Sequence, residues 1–158
     1  MKRRLLLLGV LVASLAGCAS MGPPPSVTDI LAREPELSTL NKLVQDAGLT
    51  STLNGPGPFT IFAPTNAAFS KVPAKTMDEL AKDPKRLQAV LTYHVLPVKA
   101  MAKDVKPGNV KTLQGANVEL GSTAGYVNVE GALVTKADLT ATNGVVHVID
   151  SVLMPPSR

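Results

Sequence analysis

A chain of 158 residues with 45% hydrophobic and 18% charged residues has the composition of one globular domain, which excludes a disordered or fibrous protein. Three of its 16 basic residues, Lys2, Arg3 and Arg4, lie at the amino terminus. Without these three, 13 basic residues stand against 12 acidic ones, a net charge of +1, so no basic patch favours nucleic acid as a partner. Cys18 is the only cysteine, which excludes an intrachain disulfide.

The first 25 residues predict an export signal and a spacer. The apolar run 5–16 would span roughly 18 Å as a helix, short of a bilayer core of about 30 Å. The sequence Leu15-Ala16-Gly17-Cys18 resembles the lipobox of bacterial lipoproteins, which implies cleavage before Cys18 and attachment of lipid to its sulfur. An ordinary secretory signal with an incidental cysteine is the alternative.

These features divide the chain into three parts. We predict a lipoprotein signal peptide over residues 1–17, a lipidated cysteine with a proline-rich spacer over 18–25, and a folded domain over 26–156. Ala19 and Ser20 follow the cysteine and carry no retention signal of the Asp type, so delivery to the outer membrane is expected in a Gram-negative host.

Helix signals dominate the first half of the predicted domain. Ser26 or Thr28 can cap a first helix, and apolar residues at three- and four-residue spacing predict a second helix that ends at Gly48. Residues 54–58 have the composition of a turn, and residues 59–63 predict a strand that is buried on both faces.

Three further helices are predicted before the pattern changes. Thr65 can cap a short one, and Thr76 to Glu79 fit a capping box for another. Asp83 and Pro84 start the clearest helix, whose apolar stripe includes His94 and Val95.

Beyond about residue 105 the apolar period becomes two. Val118 and Leu120 alternate with polar residues, as do Val127 and Val129, and Asn143-Gly144 predicts a tight turn before a last strand. Helices followed by antiparallel strands predict an α+β fold.

Three stretches in this order resemble the fasciclin (FAS1) domain family. They are residues 60–69 (Thr-Ile-Phe-Ala-Pro-Thr-Asn-Ala-Ala-Phe), the pair Tyr93-His94, and residues 143–155, and the resemblance covers roughly Ser26 to Pro155. It implies a wedge in which a β-sandwich of about seven strands packs with several short helices. It also implies an adhesion module that binds proteins or carbohydrates, although some relatives bind carotenoids or other apolar molecules.

We assign the motif residues to the framework of the fold. They are Thr60, Phe62, Pro64, Thr65, Phe69, Tyr93, His94, Asn143, Gly144, His147, Asp150 and Pro155. A histidine on an apolar stripe is usually satisfied by one or two hydrogen bonds inside the core, and direct contact of His94 with a partner is the alternative.

Asp138 and Leu139 are the partner-binding candidates. In adhesive animal members of the family this position carries short Asp-Ile motifs proposed to bind integrins. The alternative is that Asp138 lies in an exposed loop while Leu139 packs inward.

The residue chemistry does not favour catalysis. There is no nucleophile motif or phosphate-binding glycine loop, and two histidines with scattered carboxylates lack the spacing of a metal site. We therefore expect no cofactor, and we predict an adhesion or interaction module on a lipid anchor at the cell envelope, whose partner is an unknown protein or polysaccharide. The alternative function is a carrier for an apolar small molecule such as a carotenoid or lipid.

Overall fold

The computed structural model describes residues 22–156, so the predicted signal peptide and Cys18 lie outside the described residues. The helices in this range are α1 (Val27–Arg33), α2 (Ser38–Asp46), α3 (Thr50–Leu53), α4 (Asn66–Ser70), α5 (Ala74–Lys82) and α6 (Pro84–Tyr93), with short 3-10 turns at Pro35–Leu37 and Ala102–Asp104. The strands are β1 (Phe59–Pro64), β2 (Val95–Leu96), β3 (Gly108–Lys111), β4 (Asn117–Thr123), β5 (Tyr126–Val129), β6 (Ala132–Ala141) and β7 (Gly144–Ile149). Within residues 22–156, no helix is long and apolar enough to cross a bilayer.

The seven strands form one curved sheet in the order β2-β1-β7-β6-β5-β4-β3. Strands β3 to β7 are antiparallel neighbours, as predicted, but β7 also pairs in parallel with β1, from Phe59 opposite Gly144 to Pro64 opposite Ile149. The two ends of the sheet approach each other, and the N–H of Leu113 donates to the carbonyl of Val95 at 2.7 Å. The predicted α+β fold with seven strands and several short helices is confirmed.

The parallel pair β1 and β7 separates two apolar cores. Ile61 and Ala63 on one face of β1 belong to the core that the helices cover. Phe62 on the other face belongs, with Ile149, to a core enclosed by the curved sheet. Both faces of β1 are therefore buried, as its sequence predicts, and the strand lies at the centre of the molecule.

Three helix starts agree with the sequence. Ser26 caps α1 and forms a capping box with Asp29, Thr65 caps α4, and Asp83 caps α6 just before Pro84. Each cap satisfies backbone N–H groups that the first helical turn leaves without partners.

Two other boundaries were predicted wrongly. Helix α5 begins at Ala74, directly after Pro73, so Thr76 lies inside the first turn instead of capping it. Alanine and lysine are good helix formers, which extends the helix back to the proline. Helix α6 ends at Tyr93, because the next residues turn to form β2, where Val95 pairs with Ile61.

Backbones approach unusually closely where β6 turns into β7. A Cβ atom on Gly144 would lie 2.1 Å from the carbonyl oxygen of Phe59, and one on Gly57 would lie 1.9 Å from that of Asn143. Both obstacles are backbone atoms, which cannot rotate away. Only glycine therefore permits the register that joins β1 to β7.

We expect Gly144→Ala to lower the free energy of unfolding by about 3 kcal/mol, because the strands must separate to admit the methyl group. Urea unfolding followed by circular dichroism measures the change. Gly22→Ala is the matched control, since nothing lies within 4 Å of a Cβ atom there. Equal unfolding midpoints for the two variants would contradict the close-approach argument.

Candidate interaction site

Asn143 joins three segments through its side chain. Its Nδ2 donates to the carbonyls of Leu53 at 2.6 Å and Gly55 at 3.1 Å, while its Oδ1 accepts from the N–H of Val27 at 3.0 Å. The start of α1, the end of α3 and the turn before β1 are thus held to the β6–β7 turn. Both polar atoms of the Asn143 side chain therefore bond to backbone groups of this domain.

Thr60 is fully buried and fixes the segment that follows β2. Its hydroxyl donates to the carbonyl of Val98 at 2.6 Å and accepts from the N–H of Ala100 at 2.8 Å. At the other end of β1, the N–H of Thr65 donates to the carbonyl of Ile149 at 3.1 Å, directly after the last strand residue, Pro64.

His94 is 2% exposed and lies at the junction of α6 with the carboxyl-terminal segment. Its Nδ1 donates to the carbonyl of Val90 at 2.8 Å, and its Nε2 accepts from the N–H of Leu153 at 3.0 Å. Burial lowers the pKa of His94 to about 4, so the neutral ring is the stable form and its tautomer is fixed by these two bonds. Both ring nitrogens are occupied.

The neighbouring Tyr93 is also buried. Its hydroxyl donates to the carbonyl of Asn117 at 3.1 Å, and burial together with the nearby Glu130 carboxylate raises the pKa of Tyr93. The Tyr-His pair thus connects the end of α6 to both β4 and the carboxyl-terminal segment.

His147 makes a second backbone bridge. Its Nε2 donates to the carbonyl of Ala100 at 2.7 Å, its Nδ1 accepts from the N–H of Asp138 at 3.1 Å, and its ring stacks on Phe62 with centroids 5.7 Å apart. The ring is fully buried between β6, β7 and the segment that Thr60 fixes.

The predicted partner-binding pair lies at an irregularity in β6, where the register with β7 shifts between Lys136 and Leu139. Asp138 lies within β6 and not in the exposed loop of the alternative: it is half-buried at a φ of 59° and accepts the N–H of Ala102 on its Oδ1 at 2.7 Å. Leu139 packs against the helical core. These contacts turn the pair inward, so its role toward a partner stays a prediction.

The remaining motif residues also have contacts within the fold. Asp150 accepts the N–H of Leu133 on its Oδ1 at 2.9 Å, and its carbonyl accepts from the ammonium of Lys71 at 3.0 Å. Phe69 belongs to the helical core, whereas Pro155 lies on the rim of a cleft.

The two histidines and the carboxylates are the side chains that could carry acid–base or metal chemistry. Among residues 22–156 there is no group of three His, Cys, Asp or Glu side chains that could hold a metal ion. The two buried histidines bond to backbone groups on both nitrogens, so neither has a free acceptor for a substrate proton. These hydrogen bonds hold the backbone segments, and with them the outer surface of the domain, in place.

That surface includes an exposed apolar patch that the sequence analysis did not identify. Tyr126 is 65% exposed and Leu133 is 42% exposed, and both point outward beside Asn128, which pairs with Leu133 across β5 and β6. We call Tyr126 and Leu133 the outer-sheet patch. The signal was present in the alternation of Tyr126 with the buried Val127 and Val129, which places the ring on the solvent face.

A cleft of about 790 Å³ is the second surface feature. It lies between helices α5 and α6, the β3–β4 turn and the carboxyl-terminal segment. Leu80, Val90 and Met154 supply apolar walls, and Arg86 lies at the cleft with its guanidinium paired to Glu79 at 3.1 Å.

Comparison with known proteins agrees with this geometry. The fasciclin domain model matches residues 35–155. A FAS1 domain pair from the insect cell adhesion molecule fasciclin I has the same fold, with a TM-score of 0.67 and 20% identity over 84% of this chain and 52% of that one. The chain belongs to the fasciclin domain family.

Bacterial and animal relatives share more of the sequence. Protein sll1483 of Synechocystis sp. is 41% identical over 83% of this chain and 74% of its own length. The cell surface glycolipoprotein MPB83 of Mycobacterium bovis is 41% identical over 89% of this chain. The transforming growth factor-beta-induced protein ig-h3 of Sus scrofa is 39% identical over 86% of this chain. The chain spans 64% of the length of MPB83 and 20% of that of ig-h3.

The burial of His94 predicts that the domain becomes less stable in acid. The folded pKa of about 4 lies below the ordinary value of 6.5, so the unfolded chain binds the proton more tightly. The stability from His94 is complete above pH 6.5 and is lost as the pH falls toward 4. Between pH 7.5 and 4.5 this group should remove about 2 kcal/mol from the free energy of unfolding.

Urea unfolding at both pH values measures this loss in the native chain and in His94→Gln. Glutamine keeps a carbonyl acceptor but does not titrate, so the variant is less stable at pH 7.5 and less sensitive to pH. The same pH dependence in both proteins would show that His94 does not titrate as its burial requires.

Proposed function

We propose that this protein is a binding module of the cell envelope, exported and held to a membrane by lipid on Cys18, that recognises a partner by surface complementarity without catalysis. The observation that carries the proposal is the 41% identity to a cell surface glycolipoprotein over 89% of this chain. The FAS1 pair of an insect cell adhesion molecule supports the same class of role through its fold.

The internal use of the motif side chains supports recognition by the outer surface. Asn143, His94 and His147 direct their polar atoms to backbone groups of this chain. The outer-sheet patch instead presents an aromatic ring and an aliphatic side chain on the outer face of the sheet. Tyrosine is enriched at protein interfaces because its ring gives a large contact area at a small entropic cost. We therefore propose that the partner contacts this patch. The partner we expect is a protein or polysaccharide of the cell envelope.

Photo-crosslinking in intact cells tests the assignment. A photoreactive amino acid at Thr123, which pairs with Tyr126 across β4 and β5, should trap a discrete partner. Tyr126→Ala should lower the crosslinking yield about tenfold, because truncating a central aromatic residue typically costs that much affinity. Gln88→Ala, an exposed change on α6, is the control and should leave the yield unchanged. Equal yields in the two variants would contradict the assignment to the patch.

A carrier of an apolar small molecule, such as a carotenoid or lipid, is the second candidate function. The 790 Å³ cleft favours it, since small-molecule sites have volumes of about 300–1,000 Å³ and mostly apolar walls. Leu80, Val90 and Met154 would contact the apolar body of the ligand.

Native mass spectrometry and absorbance of the protein purified from its host test the carrier function. A bound molecule should be present, and Ala89→Phe should weaken its binding, because Ala89 lines the cleft and a phenyl ring there would project into the space that the ligand occupies. Gln88→Phe, the adjacent residue outside the cleft lining, is the control and should retain the ligand. A protein free of any bound molecule would contradict this function.

A further inference from the structure

The point at which the chain enters the domain is fixed. The carbonyl of Pro25 accepts the N–H of Thr142 at 2.9 Å, so the last spacer residue is hydrogen-bonded to the β6–β7 turn. Ser26 follows as the cap of α1, and Val27 is bound by Asn143. A force on the spacer therefore acts on this end of the molecule and on no other.

The same end carries a small apolar and basic surface. Pro56, Lys99 and Thr142 line one shallow depression, Pro56 and Pro58 are exposed, and Val98 next to Lys99 is 44% exposed. We call Pro56, Pro58, Val98 and Lys99 the basal surface. Thr60 holds this loop in place through its bonds to Val98 and Ala100.

The length of the spacer limits how the domain can turn. Six residues lie between Cys18 and Pro25, so the chain takes seven steps from one to the other and reaches at most about 25 Å when fully extended. A folded domain of this size has a radius of gyration of about 14 Å, which corresponds to a diameter of about 35 Å. The spacer is thus too short for the domain to turn over completely, so the end that contains Pro25 cannot be the end farthest from the membrane.

We infer that the basal surface docks on the lipid bilayer, with Val98 and the prolines at the headgroup level and the Lys99 ammonium beside lipid phosphates. This inference rests on the proposed lipid anchor at Cys18. We choose a lipid surface as the binding partner because the short spacer keeps the domain close to the membrane. An exposed aliphatic side chain beside a lysine also suits the boundary between headgroups and acyl chains. The carboxylate of Asp29, in the first turn of α1, is bonded to the N–H and hydroxyl of Ser26.

Docking of the basal surface places the outer-sheet patch away from the membrane. Leu133 and Thr142 lie near opposite ends of β6, nine residues apart, a distance of up to about 30 Å along a strand. The patch then faces the space in which an envelope partner is found.

Fluorescence quenching in vesicles tests the orientation. The lipidated protein is reconstituted in vesicles of phosphatidylethanolamine and phosphatidylglycerol that contain a lipid with a spin-labelled headgroup. Val98→Cys and Leu133→Cys each carry one fluorophore, because Cys18 is the only native cysteine and its thiol is blocked in the lipidated protein that the experiment uses. The two positions are matched in exposure, at 44% and 42%, so differences in quenching report distance from the membrane.

We expect severalfold stronger quenching at position 98 than at position 133, and Lys99→Glu should reduce the quenching at position 98. Equal quenching, or stronger quenching at position 133, would overturn the docking while leaving the anchor intact. Flotation of the protein with the vesicles, compared with Cys18→Ser, separately measures the anchor. A native protein that fails to float would overturn the anchor, and the docking with it.

Discussion

The fold depends on the close approach of two backbones at Gly144. Strands β1 and β7 can pair in parallel only because no Cβ atom stands between Gly144 and Phe59, and the turn before β1 can approach Asn143 only because residue 57 is also a glycine. This pair carries both cores, the helical one through Ile61 and the sheet-enclosed one through Phe62. Separation of the two strands would disturb both cores at once.

Buried polar side chains connect the paired strands β1 and β7 to the rest of the chain. His94 and His147 each use one ring nitrogen as a donor and the other as an acceptor, and both bond only to backbone groups. A neutral imidazole can do this because its two nitrogens face opposite sides of a rigid ring. Side chains that resemble catalytic groups in the sequence therefore act here as connectors between segments that are distant along the chain.

The sequence predicts those features whose causes are local. The caps at Ser26, Thr65 and Asp83 follow from one side chain and the next three backbone groups, and these were predicted correctly. The positive φ of Asp138 was not predicted, because it depends on His147 and on Ala102, which are brought to β6 only by the tertiary fold. For the same reason the parallel pairing of β1 with β7, between residues more than eighty positions apart, left no local signal.

The placement of polar contacts also limits where recognition can take place. The framework of this domain uses the hydrogen-bonding groups of Asn143, Thr60 and both histidines internally, so a partner that contacted these groups would have to break bonds that hold the fold. Surface side chains that make no such hydrogen bonds can be substituted with little loss of stability. The side chains of outward residues such as Tyr126 and Leu133 lie apart from these bonds, so changes there would leave the close approach at Gly144 intact.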